Sequence, residues 1–230
     1  MIRQRVFDLP LPEARGRADF LPAPSNAAAL AAIAAPAGWV NGRLVLAGPP
    51  GSGKTHLAHV WSGEAGGTVL PAAQLTAARV PALAEAPLAL DGADALAGEA
   101  AGEAALFHLL NQMAAAGLPL LLTAAAPPGA WGAALPDLAS RLAASSLARL
   151  TQPDDALIGA VMVKLFADRQ VHVDPGVIAW LLPRMPRSLG AARDIVAALD
   201  RAALAAGRRI GIDTARAVLA GLAEEGGEGA

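Results

Sequence analysis

Gly48-Pro49-Pro50-Gly51-Ser52-Gly53-Lys54-Thr55 is the stretch of this sequence whose residue types and spacing dictate a chemistry. It satisfies the phosphate-binding pattern GxxxxGK[ST] in full. Glycines at these places let successive backbone N–H groups converge on phosphate oxygens, Lys54 would bridge the β- and γ-phosphates, and the Thr55 hydroxyl would ligate magnesium. An apolar run, Leu44-Val45-Leu46-Ala47, precedes the loop and a helical segment from about Lys54 to Ser62 follows it. A helix beginning there adds partial positive charge where phosphate would sit, so an incidental glycine-rich turn is the weaker reading. Such a site needs a second carboxylate near the metal, delivered by the end of a neighbouring strand. Leu88-Ala89-Leu90 ends on Asp91, which is the candidate for holding magnesium through water. Gly92 stands where many ATPases place the glutamate that polarises attacking water, and Asp94 lies two residues off that position. Binding is therefore expected, and vigorous hydrolysis is not.

The elements that must position these groups alternate. Short apolar runs at 44–47, 68–72, 88–91 and 118–123 read as strands, and segments from about 54 to 62 and 103 to 116 read as helices. Strands alternating with helices predict a parallel sheet covered on both faces. Ser25-Asn26 is expected to cap an alanine-rich helix running through Ala35. After Pro153 only helical patterns remain, at about 154–169, 175–182, 188–206 and 213–223. The predicted organisation is an extended arm over 1–19, an α/β base over 20–152, a small all-helical lid over 153–223 and a disordered polar tail over 224–230.

Composition narrows the field further. The chain has 230 residues, 54% of them apolar, 17% charged and none cysteine, with a net charge of −2. That is enough apolar material for a core without disulfides, and it leaves no thiolate metal site. No run reaches the roughly 20 apolar residues of a membrane span, and no secretory leader is visible, so a cytoplasmic protein is expected. Of eighteen basic residues only Lys54 and Lys164 are lysine, and Lys54 falls where the phosphate motif demands one. Near-neutral charge without a basic run argues against a dedicated DNA-binding surface. His56 is expected to pack near the nucleotide; neither it nor His59, His108 or His172 has the context of a metal site.

A phosphate loop, an acid-ended strand, a further strand and a helical lid together resemble the AAA+ ATPases. Phe20-Leu21-Pro22-Ala23-Pro24-Ser25-Asn26, the loop followed by His56-Leu57, and Leu135-Pro136-Asp137-Leu138-Ala139-Ser140-Arg141-Leu142 narrow the resemblance to the family of the replication initiator DnaA and its shorter Hda-type regulators. It covers about residues 1 to 222. The resemblance implies ADP or ATP with Mg2+ as ligands and adds Asn26 to the nucleotide-binding set of Gly48, Pro50, Gly51, Ser52, Gly53, Lys54, Thr55 and His56. It implies that Arg141 acts as an arginine finger on a neighbour's nucleotide and that Arg193, with Arg187 as competitor, returns from the lid to the phosphates. On the strand Leu120 to Ala126, alanines replace the family's aspartate and arginine. Gln4-Arg5-Val6-Phe7-Asp8-Leu9 resembles a sliding-clamp-binding peptide, with Gln4, Phe7 and Leu9 as anchors and Arg5 where leucine is usual.

The implied partners are the initiator and the clamp, with DNA reached only indirectly and self-association possible. The expected function is stimulation of ATP hydrolysis on the initiator, which prevents over-initiation. An autonomous AAA+ ATPase such as a helicase loader, and an adaptor that sequesters the initiator without catalysis, remain the alternatives.

Overall fold

The computed structural model describes residues 21–207 and 209–227. The predicted arm over 1–19, with Gln4, Phe7 and Leu9, therefore lies outside the described residues. Five strands form one parallel sheet: β1 (Arg43–Ala47), β2 (Thr68–Pro71), β3 (Leu88–Asp91), β4 (Leu120–Ala124) and β5 (Ser146–Arg149), in the order β2-β3-β4-β1-β5. β1 lies between β4 and β5, with Leu46 opposite Thr123 and Ala148. Its five residues are all buried, as expected of a central parallel strand covered on both faces.

Successive side chains on a strand point to opposite faces, and that alternation sorts the core into two layers. Val45, Leu88, Leu90, Leu120 and Leu122 pack beneath α3 (Val80–Leu83), α4 (Ala100–Ala116) and α5 (Pro136–Ala143). Leu44, Leu46, Ala89 and Leu121 pack beneath α1 (Ala27–Ile33) and α2 (Lys54–Ala65), where Trp39 and Trp61 meet at 5.3 Å. The same alternation puts Asp91 and Thr123, each following a residue of the first set, on the α2 side.

The remaining helices, α6 (Asp155–Asp168), α7 (Pro175–Leu181), α8 (Leu189–Ala206) and α9 (Ile212–Gly227), enclose a second core around Met162, Phe166, Leu181, Ile195 and Leu199. Three of them begin on a side-chain cap. The Asp154 carboxylate accepts from the Leu157 N–H, Asp174 from Gly176 and the Ser188 hydroxyl from Ala191. Leu21 and Ala23 also pack on this lid core, and the Thr151 N–H donates to the Ser25 carbonyl. The N-terminal segment thus bridges base and lid.

Four expectations need correction. β5 is a fifth strand that the sequence pattern did not indicate; it is four residues long, at the sheet edge, with Leu147 exposed. Helix α5 places Arg141 within a helix for which no separate element was expected. Asn26 occupies the cap position of α1, but its amide accepts from the Ala23 N–H and donates to the Leu21 carbonyl instead of capping the helix. The boundary at 223 falls inside α9, which runs on to Gly227, so the polar stretch expected to be disordered is helical there.

The lid's first helix depends on its cap. Asp154→Ala should lower unfolding stability by about 1 kcal/mol, read as a reduced urea midpoint at unchanged slope. An unchanged midpoint would mean that the Leu157 bond contributes nothing.

Candidate functional site

The phosphate loop leaves the carboxyl end of β1 and enters α2 at Lys54. Gly51 and Gly53 have φ of +73° and +99°, the left-handed region that glycine enters without strain. Gly51 is fixed twice over, because a Cβ there would lie 2.2 Å from the Ser188 hydroxyl of the lid. Its carbonyl accepts from the Leu189 N–H at 2.9 Å, so the first turn of α8 is docked on the loop. Arg193 lies four residues further on, which brings it onto the same face of α8 as Leu189. Arg187, its competitor, pairs with Asp155 of α6 at 3.2 Å.

Lys54 donates from Nζ to the carbonyls of Gly48 at 2.7 Å and Pro49 at 2.9 Å, holding the ammonium over the mouth of the loop. Burial lowers its pKa from the ordinary lysine value, while Asp94 and Asp91 oppose that shift. The Ser52 hydroxyl is buried without a hydrogen-bond partner. An orphaned donor in a loop of left-handed glycines fits an anion bearing several oxygens.

Asp91 is held from two sides. The Thr55 hydroxyl donates to it at 2.9 Å, and the Thr123 hydroxyl of β4 donates to its other oxygen. Thr123 in turn accepts from the Gly92 N–H at 2.9 Å. Thr55 and Asp91 are the residues that would hold magnesium, whose charge would draw together the oxygens of a bound polyphosphate. Among the described residues no group of three or more His, Asp or Glu side chains could hold a metal by itself.

Neither Gly92 nor Asp94 offers a free acid at the position expected to polarise water. Gly92 sits at φ +76°, where a side chain would be strained. Asp94 is turned away from that task, accepting from the Ala125 N–H at 2.8 Å at the end of β4. Asn26, assigned to the nucleotide set, is 3% exposed and spends its amide on residues 21 and 23. His56 lies half-buried in the first turn of α2, and Pro50 is exposed at the loop tip.

Arg141 lies apart from this cluster, exposed on α5 with its guanidinium 5.1 Å from the centre of the Phe107 ring. Among the described residues no carboxylate forms an ion pair with it. Nearby Arg43 is 4% exposed, and its Nε and Nη1 have no partner. Burial first, and then the charge of Arg141, lower the Arg43 pKa from its ordinary value. Arg43 and Arg141 therefore place two like charges near one another on this face of the base.

Three residues escaped sequence reasoning. Thr123 is the one hydroxyl in an otherwise apolar strand, a signal that was available. Ser188 could be read as a helix cap but not as a contact of the phosphate loop. Glu103 is 1% exposed, yet its carboxylate accepts from the N–H groups of Gly98, Ala134 and Leu135 at 2.7 to 2.8 Å.

A five-stranded parallel sheet in this order, with a phosphate loop after β1 and a helical lid, is the AAA+ fold. The chain superposes on domain III of the replication initiation protein DnaA from Thermotoga maritima with a TM-score of 0.77, at 19% identity over 92% of this chain and 98% of that one. AMPPCP-bound DnaA from Aquifex aeolicus gives 0.65 at 18% identity, over 79% of this chain and 63% of the longer partner. The RuvB Holliday junction branch migration motor of Thermotoga maritima gives 0.61 at 19% identity, over 85% and 66%. At such identities the likeness is one of fold. No protein-family model matches the chain. No described helix is long and apolar enough to cross a membrane.

Two measurements check the site. Gly51→Ala forces the loop and the lid apart, so ADP affinity by calorimetry should fall by at least about tenfold; unchanged affinity would contradict the docking described above. The N–H groups of Gly98 and Ala134 hold the Glu103 carboxyl below the usual glutamate range against the opposing effect of burial, with Leu135 adding to the lowering. A depressed folded pKa stabilises the fold above the unfolded value of about 4.3 and loses that contribution as pH falls through the lower folded value. Stability measured by urea should therefore drop more between pH 5 and pH 3, both nominal settings spanning about that value, in the wild type than in Glu103→Gln.

Proposed function

We propose that this chain is an adenine-nucleotide-holding regulator of replication initiation of the Hda type, which supplies Arg141 to ATP bound by the initiator DnaA. The observation that carries the reading is a division within one molecule. A complete phosphate loop and a Thr55–Asp91 pair stand ready for a nucleotide, Gly92 stands where a water-polarising acid is expected, and an exposed guanidinium sits on α5 over the Phe107 ring, outside that cluster. Such a molecule retains its nucleotide as a conformational ligand and acts on another's.

The chemistry assigned to Arg141 follows from its side chain. A guanidinium is always ionised and presents a planar set of donors, so it neutralises charge that spreads over a transferring phosphoryl group. Leaving the Phe107 ring costs only a weak cation–π contact, about 1 kcal/mol at an exposed site. The loss of Arg43 repulsion favours the same departure. The sliding clamp, bound through Gln4, Phe7 and Leu9, would concentrate the regulator near DNA-bound initiator, leaving direct DNA contact unnecessary. Similarity in fold to an initiator domain supports this partner, because AAA+ modules of like shape can pack side by side. ADP is the favoured resident nucleotide.

Single-turnover hydrolysis of initiator-bound ATP, with this chain and clamp loaded on DNA, tests the proposal. Stimulation should fall on the order of 10³-fold in Arg141→Ala, with ADP affinity retained. No stimulation by the wild type, or stimulation unaffected by the substitution, rejects the reading. Brisk turnover by the isolated chain would instead favour an autonomous ATPase.

A further inference from the structure

Glu103 is a buried carboxylate outside the nucleotide site, and its three hydrogen bonds reach two separate segments. One oxygen accepts from the N–H groups of Gly98 and Ala134, both at 2.7 Å, and the other from Leu135 at 2.8 Å. Gly98 closes the loop that starts at Asp91 and passes through the short 3-10 turn Ala93–Leu96. Leu135 is the cap residue of α5, the helix that carries Arg141.

One turn along α4 from Glu103 stands Phe107, on the same face, and the Arg141 guanidinium lies over its ring. Between them Leu106 and Leu110 share a core cluster with Leu138 and Leu142. Helix α4 thus grips α5 at its start through a carboxylate, along its length through leucines and near its end through an aromatic ring. The hydrophobic contacts would allow α5 to slide or rotate by small amounts. The carboxylate does not, because three directed bonds must be satisfied together.

Hydrogen bonds at both ends of the 92–98 connection link the phosphate loop to α5 through the backbone between them. Thr55 meets Asp91, Asp91 is followed by Gly92, whose N–H donates to Thr123, and the same connection ends at Gly98 on Glu103. We infer that Glu103 is a positioning residue that sets the placement of Arg141 and links it to the chain's own nucleotide loop, so that occupancy of one site tunes what is offered to the other. The inference rests on the reading of Arg141 as acting on a partner's ATP, and it supplies the regulation of that action. A glutamine cannot replace the carboxylate: its amide has one acceptor oxygen, and its NH2 group would face a backbone N–H.

Hydrogen exchange with mass spectrometry on the full chain tests it. In Glu103→Gln, segments 96–99 and 133–143 should exchange about tenfold faster than in the wild type, the effect of losing a buried hydrogen bond. Segment 48–55 should be unaffected. Mg-ADP should slow exchange across 133–143 in the wild type and fail to do so in the variant, while still protecting 48–55 in both. Glu103→Asp, which keeps the charge and loses one methylene of reach, should give an intermediate effect if the glutamine variant does not fold. Equal exchange across 133–143 in wild type and variants, or equal slowing by Mg-ADP, overturns the inference.

Stimulation of initiator-bound ATP hydrolysis should fall about tenfold in the variant with ADP affinity retained; full stimulation also overturns it. A wild type that exchanges as described but does not stimulate rejects the Arg141 reading alone, since the exchange data report on Glu103 without it.

Discussion

The carboxylate of Asp91 is the point on which this structure turns. It ends β3, takes a hydrogen bond from Thr55 at the start of α2 and another from Thr123 on β4, and so ties the phosphate loop to two neighbouring strands. The arrangement follows from the period of two in a strand. With Leu88, Leu90, Leu120 and Leu122 all directed to the α4 side, Asp91 and Thr123 must face α2. A one-residue slip in either strand would send the carboxylate into the apolar layer and leave the loop without its acid. The register is therefore set by hydrophobic burial, and the polar site inherits its geometry from that burial.

The lid is attached to the same point by a backbone contact. Ser188 and Leu189 press on Gly51, so the conformation of the phosphate loop and the orientation of α8 are a single structural variable. A nucleotide held there would sense both domains. On the opposite layer, Arg141 is held by Phe107 and by the Glu103-anchored start of its helix, beside the unpaired charge of Arg43. The molecule places Thr55, Asp91 and Thr123 on one side of the sheet and Arg141 on the other. Gly92 follows Asp91 directly, and Asp94 accepts from the Ala125 N–H at the end of β4.

Local chemistry was legible in the sequence, and long-range contacts were not. The phosphate loop could be read because eight consecutive residues carry it, and Asp91 because it ends an apolar strand. Four of the five strands and the main lid helices follow from periodicity and caps. β5 gave no signal because an edge strand of four residues, with Leu147 exposed, lacks both length and a clean apolar pattern. Helix α9 continues past the expected boundary because Glu224 and Glu225 are adequate helix formers, despite Gly226 and Gly227. Thr123 and Glu103 acquire meaning only through partners 32 residues away in Asp91 and Leu135, which no local pattern encodes. Asn26 shows the converse: a residue type suited to capping was instead absorbed by its own turn.

The central claim is that this chain acts on ATP held by another molecule while keeping its own nucleotide intact. It is tested most directly by loading the chain with ADP, which it cannot hydrolyse further by this chemistry, and the initiator with ATP labelled at the γ-phosphate. Release of labelled phosphate in a single turnover, accelerated by the ADP-loaded chain in the presence of clamp on DNA, is the result the account predicts. Acceleration that appears only when the chain itself carries ATP would contradict it.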